Sequence, residues 1–168
     1  MKLRGLNGLL QEIDQYVQNP EDGLPEEIFL FATEITPMVN VDLLIRDAEG
    51  SVLLSWRDDP FYGKGWHVPG GILRLKENFE ERIQKTAQNE IGCSVESADE
   101  PIEVVPIIIK EMKTRGHFIT FVYECRLPAG FEISNAGRKE TDAGYLKWHK
   151  TCPDNMLSVH QFYRKYFR

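Results

Sequence analysis

Glu90 stands at the end of a polar stripe, Arg82, Lys85, Thr86, Asn89 and Glu90, whose members recur three or four residues apart. On a helix that spacing puts a base, an amide and an acid on one face. Upstream, Gly70-Gly71 closes the stretch WHVPGG, and two residues without side chains allow a tight turn and close backbone approach to a ligand. Cations and an acid beside such a turn suit a polyanion and the metal ion that accompanies it.

The helix carrying the stripe is legible in its punctuation. Asn78 is a cap, Glu81 completes a capping-box pattern, and Gly92 supplies the stop. Phe79, Ile83, Ala87 and Ile91 recur every four residues and form the face to be buried. The residues before it, ending in Val68-Pro69, read as the end of an apolar strand.

The segment from Gly71 to Cys93 resembles the Nudix box, in which a glycine and a glutamate precede a cluster of arginine and glutamates closed by a second glycine. Gly71, Glu77, Ala87, Glu90, Gly92 and Cys93 fit that frame in register. Lys85 stands where the box has arginine, and Thr86 and Asn89 replace two of its three clustered glutamates. Keeping only the last glutamate is similar to the GDP-mannose mannosyl hydrolase branch. The resemblance covers roughly residues 37 to 167. It implies an α/β/α sandwich with a mixed sheet, within the α+β class, and an Mg²⁺-dependent (or Mn²⁺-dependent) hydrolase of a nucleoside diphosphate sugar.

What the resemblance implies residue by residue starts with the metal, expected at Glu90 and the Gly71 backbone carbonyl, with Glu77 in support. In the family that glutamate mostly orders the loop through the base matched by Lys85; an acid near a helix start is also favoured by the helix dipole alone. Arg57, ending the apolar strand VLLSWR, matches an arginine that contacts the diphosphate, against the alternative of a surface arginine. Asp42 lies inside VNVDLLI, where alternation would bury it, as a substrate-contacting acid or a structural partner. The branch has an arginine directly after Gly-Gly; here Ile72 takes that place and Arg74 follows two positions later. His117 is the counterpart of the branch's general base, about two residues out of register, or an ordinary hairpin-end histidine. His67 is a candidate pocket-lining group, whereas His149 and His160 read as structural. Trp66, Phe61 and Tyr62 are candidates to stack on a base, with core packing as the alternative. With one acid left in the box, the branch chemistry is attack of water on the sugar carbon with the nucleoside diphosphate leaving. The competing readings are a pyrophosphatase acting on ADP-ribose or a similar compound, and a catalytically weak nucleotide-sugar-binding module.

The remaining elements must position these groups. Leu6, Leu9, Leu10, Ile13 and Val17 form a helical stripe, assigning residues 1–24 to an N-terminal helical extension and 25–168 to the hydrolase domain. Ile28–Ile35 reads as a strand ended by Pro37, followed by strands over 39–47 and 51–57, with a polar loop over 58–65. Residues 102–112 and 117–127 form a hairpin through KTRG. The polar segment 128–144 is the candidate substrate loop, 145–149 a last strand, and 158–167 an amphipathic helix.

Across 168 residues, 42% hydrophobic and 27% charged describe one ordinary globular domain. A net charge of −6 argues against a general nucleic-acid partner, which needs a basic surplus. Cys93, Cys125 and Cys152 show neither disulfide pairing nor metal spacing and read as free thiols. No apolar run is long enough to span a membrane, and the N-terminus lacks a secretory core, so a cytoplasmic enzyme with a small-molecule substrate is expected. The family often dimerises, which makes the N-terminal helix a candidate homodimer surface.

Overall fold

A computed structural model describes residues 5–167; the first four positions of the expected 1–24 extension, and Arg168 at the end of the expected domain, lie outside the described residues. The elements run in the order α1 (Leu6–Asp14), α2 (Glu26–Ile35), β1 (Met38–Ile45), β2 (Val52–Asp59), β3 (Gly63–His67) and β4 (Gly70–Ile72). After them come α3 (Phe79–Glu90), β5 (Glu96–Ser97), β6 (Glu103–Ile108), β7 (His117–Arg126), β8 (Leu146–His149) and a terminal 3-10 helix (Ser158–Tyr166). The class is α+β, as the sequence implies.

One sheet has β1 at its centre, antiparallel to β4 and parallel to β7, with β5 and β6 both antiparallel to β7. The other is antiparallel, in the order β3-β2-β8. Strand alternation divides the interior in two. Val41, Leu43 and Ile45 of β1 meet Ile83 and Ala87 of α3 and Ile91 at its C-terminal cap. Leu44 faces the opposite way, into a cluster with Trp56, Trp66, Val68, Met156 and Tyr163. The apolar stripe of α3 is therefore the buried one expected. Its capping box is formed: Asn78 Oδ1 accepts from the Glu81 N–H at 2.9 Å, and Glu81 Oε2 accepts from the Asn78 N–H at 3.1 Å. Gly92 ends the helix at a φ of +90°, a left-handed value that glycine reaches without strain.

Three expectations are corrected. Ile28–Ile35 is helical, not extended. A short apolar run carries no decisive periodicity, and Glu26 and Glu27 in the first turn behind Pro25 favour the helix start. Helical spacing then brings Phe29, Ala32 and Thr33 onto the face turned toward the body. The polar segment 58–65 is for the most part paired: Asp59 and Gly63 are opposed across a β2–β3 hairpin whose turn is tied by Asp59 Oδ1 accepting from the Phe61 and Tyr62 N–H groups. The terminal helix is a 3-10 helix rather than an α-helix, and still buries Tyr163. The substrate-loop segment 128–144 contains no strand or helix, but Asn135 pins it, exchanging two 2.8 Å bonds with the Leu146 backbone. Helix α1 buries none of its residues, leaving Leu6, Leu9, Leu10 and Ile13 exposed.

Candidate functional site

Parallel pairing of β1 with β7 and antiparallel pairing with β4 bring Asp42, Thr120 and Gly70 to one side of the sheet. There they line a cavity of about 250 Å³ with Asn40, Arg57, Tyr62, His67, Arg74, Arg82, Arg115 and His160. A second cleft adjoins it, sharing Arg57, His67 and Gly70 and adding Glu90, Asn89 and Arg138. The two are thus parts of one site, with His67 and Arg57 at their junction.

Gly70 and Gly71 are required by close approach. A methyl group on Gly70 would come within 2.1 Å of Asp42 Oδ1, and one on Gly71 within 2.4 Å of Thr86 Oγ1. The Gly70 N–H donates to Glu90 Oε1 at 3.2 Å, tying the end of α3 to the turn. The Glu90 side chain keeps 24% of its surface open. Its carboxyl is nevertheless largely stripped of water, which pushes its pKa up to about 7; the Gly70 N–H and Arg57 offset part of this, and the Asp42 charge adds to it.

Asp42 is 2% exposed and lies on the face of β1 opposite α3. Its Oδ2 accepts from the Tyr163 hydroxyl and its Oδ1 from Asn40 Nδ2, both at 2.5 Å. Burial raises its pKa to about 7 against the lowering effect of these bonds and of Arg57. Two acids poised near neutrality in one site are suited to hold or move a proton. The histidines behave oppositely. Burial and the charge of Arg57 bring His67 down to about 4, and burial beside His67 holds His160 well below its ordinary value, so both rings are neutral.

Arg57 forms a 2.8 Å ion pair with the buried Asp59 while its side chain stays 41% exposed, leaving guanidinium edge for an anion. Arg115 arrives from the β6–β7 turn at a φ of +54°, unusual for a residue with a side chain. Its guanidinium lies 4.9 Å from the Phe61 ring centre and 5.8 Å from that of Tyr62, its Nε is buried without a partner, and its N–H donates to Thr33 Oγ1 of α2 at 3.0 Å.

Of the residues expected at the site, Asp42, Arg57, Arg74 and Gly71 line the cavity, and Glu90 the adjoining cleft. Glu77 has both oxygens occupied: Arg82 grips it bidentately at 2.7 and 2.9 Å, Lys85 adds a bond of 2.9 Å, and the Arg74 N–H one of 3.0 Å. Burial would raise this carboxyl, but those bonds outweigh it and leave it at about 2. These contacts tie Glu77 to its loop, with Arg82 as the main clamp and Lys85, the base expected there, assisting. His117 lies elsewhere on β7. Alternation on β7 turns Phe118 and Thr120 to the cavity, and His117 is not among its lining residues. The histidines of the site are His67 and His160, the latter having read as structural. Among the aromatics, Trp66 is core, edge-on to Trp56 with ring centres 5.2 Å apart, whereas Tyr62 lines the cavity.

Sequence reasoning missed Tyr163, His160, Asn40 and Arg115. His160 and Tyr163 are three apart on the terminal helix, a spacing that could have flagged them as one face; Arg115 carried no signal beyond its turn.

The donor set fits a divalent cation. One carboxylate, the peptide groups of the Gly70–Gly71 turn and room for phosphate oxygens form the combination that a water-retaining Mg²⁺ accepts. Among the described residues no three His, Cys, Asp or Glu side chains converge on one point. No helix of the described residues is long and apolar enough to cross a membrane.

Comparison with known proteins gives a match of residues 36–165 to the family model described as NUDIX domain. Low-salt glycan biosynthesis protein Agl8 of Haloferax volcanii is 35% identical over 77 residues, covering 45% of this chain and 48% of that protein. The chain therefore spans about half the length of that relative. Among solved structures, a MutT NUDIX hydrolase from Burkholderia pseudomallei aligns with a TM-score of 0.60 at 19% identity, covering 79% of this chain and 99% of that one. A UDP-X diphosphatase aligns with a TM-score of 0.56 at 18% identity, covering 95% of this chain and 74% of that one. At these identities the structural likeness concerns the fold.

Proposed function

Since this chain belongs to the Nudix hydrolase family, we propose that it hydrolyses a nucleoside diphosphate sugar of the GDP-mannose or GDP-glucose type, releasing the nucleoside diphosphate and free sugar. The observation that carries this reading is the composition of the box helix in place. Thr86 is buried against Gly71 with its hydroxyl unpartnered, Asn89 is neutral, and Glu90 is the one acid of the cluster that reaches the cleft. So sparse an acidic set suits one ion held largely by the diphosphate, and a diphosphate so neutralised is a leaving group. Agl8, a relative over the matched stretch, is named for glycan biosynthesis. That agrees with a sugar nucleotide substrate.

The divalent ion, Mg²⁺ or Mn²⁺, would be held by Glu90 and the Gly71 region and would supply charge neutralisation on the diphosphate when bound. The chain's own groups do the rest. Arg57, at the junction of the clefts, binds diphosphate oxygens, and Arg74 and Arg115 extend the basic lining over the substrate. Asp42, raised to about 7 and fixed by Tyr163 and Asn40, takes the proton of the attacking water, the task sequence assigned to His117. Glu77 with Arg82 and Lys85 holds the loop that leads from the glycine turn into α3.

The test is turnover of GDP-mannose, GDP-glucose and ADP-ribose with Mg²⁺, with products identified by NMR, beside Glu90→Gln. Nucleoside diphosphate and free sugar, abolished in the variant, support the reading. A nucleoside monophosphate transfers the enzyme to the pyrophosphatases, as the fold shared with UDP-X diphosphatase allows. Binding without turnover makes it a sensor of nucleotide sugars.

A further inference from the structure

His67 does more at this site than line a wall. It closes β3 with only 5% of its surface exposed and stands at the junction of the two clefts. Its Nδ1 lies 2.9 Å from the Val68 carbonyl oxygen. A carbonyl only accepts, so in the neutral ring Nδ1 carries the proton and Nε2 carries the lone pair. That lone pair faces the box acid: Nε2 is 3.7 Å from Glu90 Oε2. The separation is too long for a hydrogen bond, and with the ring neutral and Glu90 ionised neither atom has a proton to donate. Glu90 Oε1 is meanwhile turned to the Gly70 N–H, which leaves Oε2 as the free oxygen on the side of the imidazole.

Two acceptors held toward each other in a buried site, without a donor between them, make a poor structural contact and a good pair of ligands. Donors bound to a common first-row divalent ion each stand about 2.0–2.2 Å from it, so a gap of this size lies within their reach. The bond from Nδ1–H to a backbone carbonyl is also the outer contact that metal-binding imidazoles use to fix tautomer and ring orientation. We propose that His67 is a ligand of the divalent ion, through Nε2, beside Glu90 and the glycine turn, and that it tilts the site from Mg²⁺ toward nitrogen-tolerant first-row ions such as Mn²⁺. The inference rests on the metal-dependent reading above and deepens it. An imidazole has little attraction for Mg²⁺, which prefers oxygen throughout, whereas affinities of mixed nitrogen and oxygen sites rise along the first transition row.

The experiment uses the full chain with Mn²⁺ and inorganic pyrophosphate, which contains no nitrogen. Pulsed electron paramagnetic resonance on this complex is expected to show coupling of Mn²⁺ to one imidazole nitrogen, altered by ¹⁵N-histidine labelling and absent in His67→Phe. Calorimetry should give Mn²⁺ binding weaker by about ten-fold in His67→Phe with Mg²⁺ binding nearly unchanged. Circular dichroism and thermal melting establish that the variant is folded, and His67→Gln provides a smaller, polar substitution should Phe disturb the core. Mn²⁺ that binds the unaltered chain without nitrogen coupling, or with coupling that persists in both variants, overturns the proposal. Glu90→Gln separates the two layers. If it weakens Mn²⁺ binding while the nitrogen signal is absent, only the role of His67 falls; if neither is seen, the metal assignment of the site falls with it.

Discussion

The Tyr163 hydroxyl donates a 2.5 Å hydrogen bond to Asp42 Oδ2, joining the terminal 3-10 helix to β1 across 121 positions of sequence. This contact holds a buried acid in the cavity wall, and that burial, which the bond offsets only in part, makes stability depend on pH in an unusual direction. The ordinary carboxyl value of 3.8 is raised to about 7 in the folded chain, so between those values the folded state retains a proton that the unfolded state has lost. Stability therefore falls as pH rises from about 4 to about 7, by up to about 1.4 kcal/mol per pH unit for one such group. Denaturant melts in EDTA across this range should show the decline, and Asp42→Asn should flatten it in part, because Glu90 contributes in the same sense.

Glu77 works the other way. Its carboxyl, ordinarily at 4.5, is lowered to about 2, so its contribution is complete above about 4.5 and is lost as pH falls toward 2. Removing the charge strands Arg82, whose side chain is only 10% exposed. Glu77→Gln should cost about 3–5 kcal/mol in chemical denaturation, the penalty for breaking a buried pair from one side. Calorimetry on the folded fraction should still find Mn²⁺ bound far better than in Glu90→Gln, since Glu77 acts on the loop.

Gly71 and Thr86 are coupled by contact. Gly71→Ala places a methyl group 2.4 Å from Thr86 Oγ1 and should abolish turnover and lower the melting temperature. Thr86→Ala removes a buried hydroxyl that has no partner, and should be close to neutral by itself. The double variant should recover part of the loss, giving a coupling energy of about 1–2 kcal/mol in a double-mutant cycle. Strict additivity of the two changes would show that the clash is relieved elsewhere.

Arg115 tests the reach of α2 into the site. Its N–H is held by Thr33 Oγ1 while its side chain lines the cavity over Phe61 and Tyr62. Arg115→Ala should raise KM by about ten-fold with a smaller effect on kcat, the pattern of a lost binding contact. Thr33→Ala should show a weaker version of the same change. If both variants leave KM unaltered in steady-state assays, the guanidinium is a structural plug among aromatic rings.

Local rules made α3 readable from end to end, because a cap, a box partner, a four-residue apolar repeat and a glycine stop all act within a few turns of chain. The same locality made Gly71 and Glu90 identifiable, their separation being fixed by one loop and one helix. Strand alternation also placed Asp42 inside, although not what it would meet. Ile28–Ile35 escaped this logic, since an apolar run of that length suits either a strand or a helix and the acids ahead of it decided the outcome. Arg82 escaped it too: on a helical wheel it belongs to the polar face, yet the fold buries it against Glu77.

By itself, then, the sequence determined the box helix and the glycine turn through interactions between residues close in the chain, and the resemblance of the box singled out Glu90 as its remaining acid. The tertiary structure alone decided which side chains share the cavity. Pairing β1 in parallel with β7 and packing the terminal helix beneath them brought Tyr163 to Asp42 and His160 to the site, while the pleat of β7 turned His117 away. Such choices depend on register and packing between distant segments, and a residue's position along the chain does not encode them.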